Sequence, residues 1–107
     1  MAEAKVYIDK IQEGLNADPD KSKNINAVFQ FNIEGDGGGT WALDLTKSPG
    51  EVAEGAADNP ACTIIMSTED FESMMNKTSN PMQLYMSQKL KVQGNLPLSL
   101  KLQEIIK

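Results

Sequence analysis

Residues 28–46 read VFQFNIEGDGGGTWALDLT, and this stretch decides the fold class. Phe29, Phe31 and Ile33 alternate with Gln30 and Asn32, the period of a strand with one buried face. After the glycine-rich GDGGGT, Trp41, Leu43 and Leu45 alternate again. Two alternating runs around a tight glycine turn predict an antiparallel hairpin whose apolar side is covered.

What covers it is read outward from the hairpin. Upstream, Ala4, Tyr7, Ile8, Ile11 and Leu15 recur at three- and four-residue spacing. This predicts an amphipathic helix from Ala2 to Leu15, broken by NADPDKSKN with Pro19. Downstream, a short strand is expected around Val52 and a firmer one in ACTIIMS. At Ser67 the period changes to helical. Ser67 is the expected N-cap, with Asp70 three residues on, and Phe71, Met74 and Met75 share a face. Asn80 caps a second short helix with Pro81 in its first turn, and Met82, Tyr85 and Met86 are its expected inner face. KLKVQG then alternates Leu90 and Val92 as a strand ended by Gly94. The last segment, NLPLSLKLQEIIK, fits either a strand or a helix beginning after Pro97; its length and the terminal LQEII favour the helix. Strands and helices are segregated, so the chain is expected to be an α+β domain with helices on one face of a largely antiparallel sheet.

With 107 residues the chain suits one domain, residues 1–107, with one core. Its net charge of −5, with ten lysines and no arginine, argues against nucleic acid as a partner. Lys89, Lys91 and Lys101 leave room for a transient contact with a membrane surface, although a solvated face explains them as well. No run approaches a membrane span, and MAEAKVYIDK lacks the layout of a signal peptide. The single cysteine, Cys62, sits in an apolar run and is expected to be a buried structural thiol. With no histidine, the common triads and most zinc sites are excluded. No carboxylate pair has a distinctive setting, so neither catalytic nor metal-binding residues nor a cofactor are expected. EGDGGGT runs into a strand and lacks the lysine of a phosphate loop. DPDKSKN lacks the glycine and the final glutamate of a calcium loop, and so is read as a polar loop. The triplet Asn76-Lys77-Thr78 matches a glycosylation acceptor but has no secretory signal behind it.

The apolar residues carry more information. Five of the six methionines fall between Met66 and Met86. A solid core is the plain explanation. A core that opens to an apolar guest is the other, because methionine adapts to irregular shapes and short helices separated by NKTSN shift readily.

In chain order TWALDLT, ACTIIMSTEDFESMM, NPMQLYMSQKLKVQGN and LSLKLQEIIK resemble the sterol carrier protein type 2 domain, from about Ala27 onward. The resemblance implies a five-stranded sheet with helices on one side and an apolar tunnel between. It implies intracellular, non-catalytic binding and transfer of fatty acids, fatty acyl-CoA, sterols or phospholipids by a monomer. Carried over by motif, the tunnel lining is Trp41, Phe71, Met75, Met82, Tyr85, Met86, Leu100 and Gln103. Met82 and Leu100 stand where relatives can have glutamine, which makes the lining more apolar and leaves Gln103 as the polar contact. Many relatives end in a peroxisomal tripeptide, whereas this chain ends Ile105-Ile106-Lys107. The resemblance therefore points to peroxisomes, with the cytoplasm as the alternative. The rival function is an accessory module with a solid core, fused to or partnering a lipid-metabolising enzyme.

Overall fold

The computed structural model describes residues 3–18, 20, 25–47 and 50–101; the side chains of Leu96, Ser99 and Leu100 also lie outside the description. Helix α1 (Ala4–Ala17) is followed by strands β1 (Val28–Glu34), β2 (Gly39–Asp44), β3 (Glu51–Glu54) and β4 (Cys62–Ser67). Then come α2 (Thr68–Met75), α3 (Pro81–Met86), β5 (Leu90–Gly94) and α4 (Leu96–Lys101). This is the expected order. Most of the polar stretch after α1 lies outside the described residues.

The strands form one sheet in the order β3-β2-β1-β4-β5. The hairpin pairs as its alternation predicts, Phe29 opposite Leu43 and Phe31 opposite Trp41. Its turn admits only glycine at Gly38, where a Cβ would stand 2.2 Å from the Ile33 carbonyl oxygen. β1 and β4 run parallel, Phe31 beside Ile64, and the other neighbours are antiparallel. The alternation shows which residues share a face, but not which strands become neighbours. The parallel pair is therefore the part of the topology that local pattern does not contain.

One face of the sheet is buried. Phe29, Phe31, Ile33, Leu43, Cys62, Ile64 and Met66 meet Ala4, Ile8, Ile11 and Leu15 of α1 and Phe71 of α2 in a single apolar core. At roughly 1.5–3 kcal/mol for each large apolar side chain, this core is the main stabilising term. The opposite face carries Gln30, Asn32, Thr63 and Lys91, none of them buried.

α1 begins two residues later than its periodicity predicts. The Ala4 amide donates to the Gly37 carbonyl at 2.9 Å, fixing the helix start to the hairpin turn. On its flank, Gln12 grips β3. Its Oε1 accepts from the Val52 amide at 2.7 Å and its Nε2 donates to the Gly50 carbonyl at 2.9 Å. β3 is an edge strand, and these are backbone groups that a foreign strand would otherwise engage. Gln12→Ala is expected to lower stability by about 1–3 kcal/mol, because it strands both partners. Urea unfolding checks the loss, and sedimentation at high concentration checks whether the uncovered edge self-associates. A variant with the stability and sedimentation of the parent would show the clamp to be dispensable.

Candidate functional site

Three rings join the helices to the sheet. Phe71 lies 6.0 Å from Phe31 and meets the Tyr7 ring edge-on at 6.2 Å. Lys10 Nζ sits 5.1 Å above the Tyr7 ring, and Asn76 Nδ2 donates to the Tyr7 hydroxyl at 3.3 Å. α2 is thereby locked to α1 and β1. Its start is fixed twice, by the Asp70 amide donating to Ser67 Oγ at 3.1 Å and by Thr68 Oγ1 donating to the Glu34 carbonyl at 3.0 Å. The Ser67 cap is the one expected from sequence.

α2 ends at Asn76, and Lys77 turns the chain with φ of 64°. The amides of Thr78 and Ser79 both donate to the Ser73 carbonyl, at 2.9 and 3.2 Å. α3 then starts as expected, with the Met82 amide donating to Asn80 Oδ1 at 2.8 Å. Its orientation is the opposite of the expectation. Leu84 is the residue driven into the core, while Met82, Tyr85 and Met86 are 41%, 39% and 77% exposed. The i, i+3, i+4 spacing correctly puts these three on one side of the helix, but the helix packs through its other side. Spacing groups side chains without saying which group faces the sheet. The lone leucine among polar neighbours was the available signal for the buried side.

Of the other residues named from sequence, Trp41, Phe71 and Met75 belong to the one core on the covered face. Trp41 is buried on β2 and Phe71 is buried under α2, while Met75 is half-buried against the same core. α3 packs beside β5, three strands from Trp41, or about 14 Å at ordinary strand spacing. Leu100 lies on α4, and Gln103 is outside the described residues. α4 begins at Leu96, earlier than expected, because the Leu98 amide donates to Asn95 Oδ1 at 3.2 Å and Pro97 is accommodated in the first turn. Asn95 is a cap that the sequence reading missed, although an asparagine two residues before a proline was the clue.

Clefts open among the described residues, with charged side chains among their linings. One, of about 290 Å³, lies between Glu3, Lys5, Gly37, Thr40, Trp41 and Glu54. Another, of about 280 Å³, lies on the uncovered sheet face between Asp44, Lys47, Glu51 and Asp58. Neither contains the α3 residues.

Asp44 and Lys47 are both shifted away from neutrality. Hydrogen bonds from the Thr46 hydroxyl and amide hold the Asp44 carboxyl below its ordinary value. The Glu51 carboxylate beside Lys47 raises that ammonium. Both shifts favour the form already charged at pH 7, whereas an acid or base catalyst needs the reverse. Among the described residues no group of three histidine, cysteine, aspartate or glutamate side chains is placed to hold a metal ion.

Cys62 is fully buried, and burial pushes its thiol from 9.0 to about 11. The unfolded chain loses this proton first, so the Cys62 contribution to stability is expected to be flat well below pH 9.0 and to fall as pH rises toward 11. At about pH 8 a thiol reagent should label the urea-unfolded chain and leave the native one unreacted. Rapid labelling of the native protein would contradict the burial.

The α+β sheet with one covered face and the outward apolar face of α3 are the features that the comparisons with known proteins bear on. The chain belongs to the SCP-2 sterol transfer family, whose profile matches residues 8–107. It is 41% identical over 81 residues to hydroxysteroid dehydrogenase-like protein 2 of Rattus norvegicus, covering 75% of this chain and 16% of that protein. It is 42% identical over 90 residues to peroxisomal multifunctional enzyme type 2 of Mus musculus, covering 79% of this chain and 12% of that protein. The chain thus spans a small part of the length of these relatives. The solution structure of palmitated SCP2L2 from Aedes aegypti superposes with a TM-score of 0.83 at 28% identity, over 99% of this chain and 95% of that one.

Proposed function

We propose that this domain binds single lipid molecules starting from the outward apolar face of α3 and carries them without catalysing a reaction. The observation that carries the reading is the outward apolar face of α3. Of the four large apolar side chains exposed among the described residues, three are Met82, Tyr85 and Met86. A monomer that leaves such a group uncovered on one short helix is built to have it covered by something else. Family membership and the likeness to a palmitated relative support a fatty acyl chain as that cover.

In this reading the guest starts against Met82, Tyr85 and Met86 and reaches past the half-buried Met75 toward Phe71 and Trp41, and Leu100 and Gln103, carried over by motif, are proposed as further contacts. Fatty acids and their CoA thioesters, sterols and phospholipids share the long apolar body this requires. Each methylene removed from water contributes about 0.8 kcal/mol, so a long chain offsets the several kcal/mol that association costs. Lys89 and Lys91, just beyond α3, provide a transient contact with an anionic membrane during transfer. The protein works as a monomer, and the peroxisome is the proposed compartment, supported by the named compartment of the mouse relative.

The test is displacement of a fluorescent fatty acid, followed also by Trp41 emission. Saturable binding with a shift in Trp41 emission is expected. No binding of a fatty acid, an acyl-CoA or a sterol at tens of micromolar would sink the proposal.

A second reading has its own support. The rat and mouse relatives carry this similarity within much longer proteins. The domain would then act as an accessory unit of an enzyme, with a solid core. Native mass spectrometry of gently purified protein separates the two, because a carrier retains lipid and an accessory unit does not.

A further inference from the structure

Four of the five methionines among the described residues fall into two groups, and the fifth, Met75, is half-buried. Met66 and Met74 are 1% and 5% exposed, whereas Met82 and Met86 are 41% and 77% exposed. The second pair sits four residues apart on the same side of α3. From this we infer that Met82 and Met86 form a paired oxidation site for hydroperoxides, and that their conversion to sulfoxides weakens lipid binding. The second half rests on the lipid-seat reading above; the first does not.

The chemistry is simple and balanced. The thioether sulfur attacks the terminal oxygen of a hydroperoxide, R–O–O–H. The O–O bond breaks and a sulfur–oxygen bond forms. The departing RO group takes the proton and leaves as an alcohol, or as water when R is hydrogen. Sulfur is oxidised by two electrons and the peroxide is reduced by two.

Access selects the site. The oxidant must reach the sulfur, and Met66 and Met74 lie sealed among the core side chains, whereas α3 offers its pair to solvent. The consequence follows from the change in character. A sulfoxide is polar and chiral, and it replaces a soft apolar group where a hydrocarbon chain is to pack. α3 itself is held by the Asn80 cap and by Leu84, which oxidation does not touch. The lesion therefore alters the seat and leaves the fold. It is also reversible, because methionine sulfoxide reductases restore the thioether.

The experiment exposes the full chain to hydrogen peroxide and maps sulfoxides by peptide mass spectrometry over time. Met82 and Met86 are expected to oxidise about tenfold or more faster than Met66 and Met74. Circular dichroism should stay unchanged, while the dissociation constant for a fluorescent fatty acid rises about tenfold. Sulfoxide reductase should bring it back. A Met82→Leu/Met86→Leu variant, whatever its own affinity, should show no response to peroxide. Oxidation of the buried pair first, or full oxidation of α3 without a change in affinity, or an equal response in the variant, would overturn the inference. If the untreated protein binds no fatty acid, the carrier reading fails and takes the affinity effect with it. The order of oxidation in the peptide map still decides whether the site exists.

Discussion

Phe71→Ala will lower the free energy of unfolding by about 3–5 kcal/mol, the range for removing a fully buried aromatic side chain. Phe71 has no exposed surface, and it touches the sheet through Phe31 and α1 through Tyr7. Truncation therefore leaves a cavity at the only junction where both helices and the sheet meet through rings among the described residues. It also removes ring–ring contacts worth about 0.5–1.5 kcal/mol each beyond their area. For a domain of this size the melting temperature should drop by about 12 °C or more. Thermal unfolding followed by circular dichroism measures it. Phe71→Leu, which refills most of the space, should recover more than half of the loss. A loss below about 1 kcal/mol for the alanine variant would mean that the site collapses freely and that the three-ring junction is not a structural anchor.

The second large effect falls on binding rather than stability. Met82→Glu/Met86→Glu places two carboxylates on the outward side of α3, where the parent side chains are already exposed. Exposed substitutions of this kind shift stability by no more than about 0.5 kcal/mol each. If a lipid covers this face, the same change removes two apolar contacts of at least about 1.5 kcal/mol each, and a carboxylate must also be desolvated. Affinity for a fatty acid should fall about a hundredfold or more. Titration with a fluorescent fatty acid, beside a melting curve, reads both quantities. Unchanged affinity in a stable variant would place the lipid elsewhere in the molecule.

The contrast between these two residues and Phe71 also shows what the sequence conveys. The hairpin of β1 and β2, the Ser67 and Asn80 caps, the strand at Cys62 and the order of elements were all legible, because each depends on neighbours within a few residues. The burial of Trp41, Phe71 and Cys62 was legible too, since alternation and apolar character agreed. The direction of α3 was not. Its apolar residues fall on both sides, and which side wins depends on the β5 surface it lands on, a tertiary matter. α4 starts ahead of Pro97, because the first turn of a helix has no need of that amide. The Gln12 clamp joins residues about forty positions apart, so no local pattern announces it.

The parallel pairing of β1 with β4 has a kinetic consequence. The two strands are the centre of the sheet, yet the chain makes β2 and β3 between them before it returns. The hairpin can form early, on its own, because its partners adjoin in sequence. Docking β4 against β1 must instead close a long loop, with its entropy lost before any ladder bond repays it. That closure, rather than hairpin formation, is expected to set the folding speed, which stopped-flow refolding measures. Shortening side chains at the seam, at Phe31 or Ile64, then slows folding, whereas the same change at Leu90 on the outer strand mainly hastens unfolding.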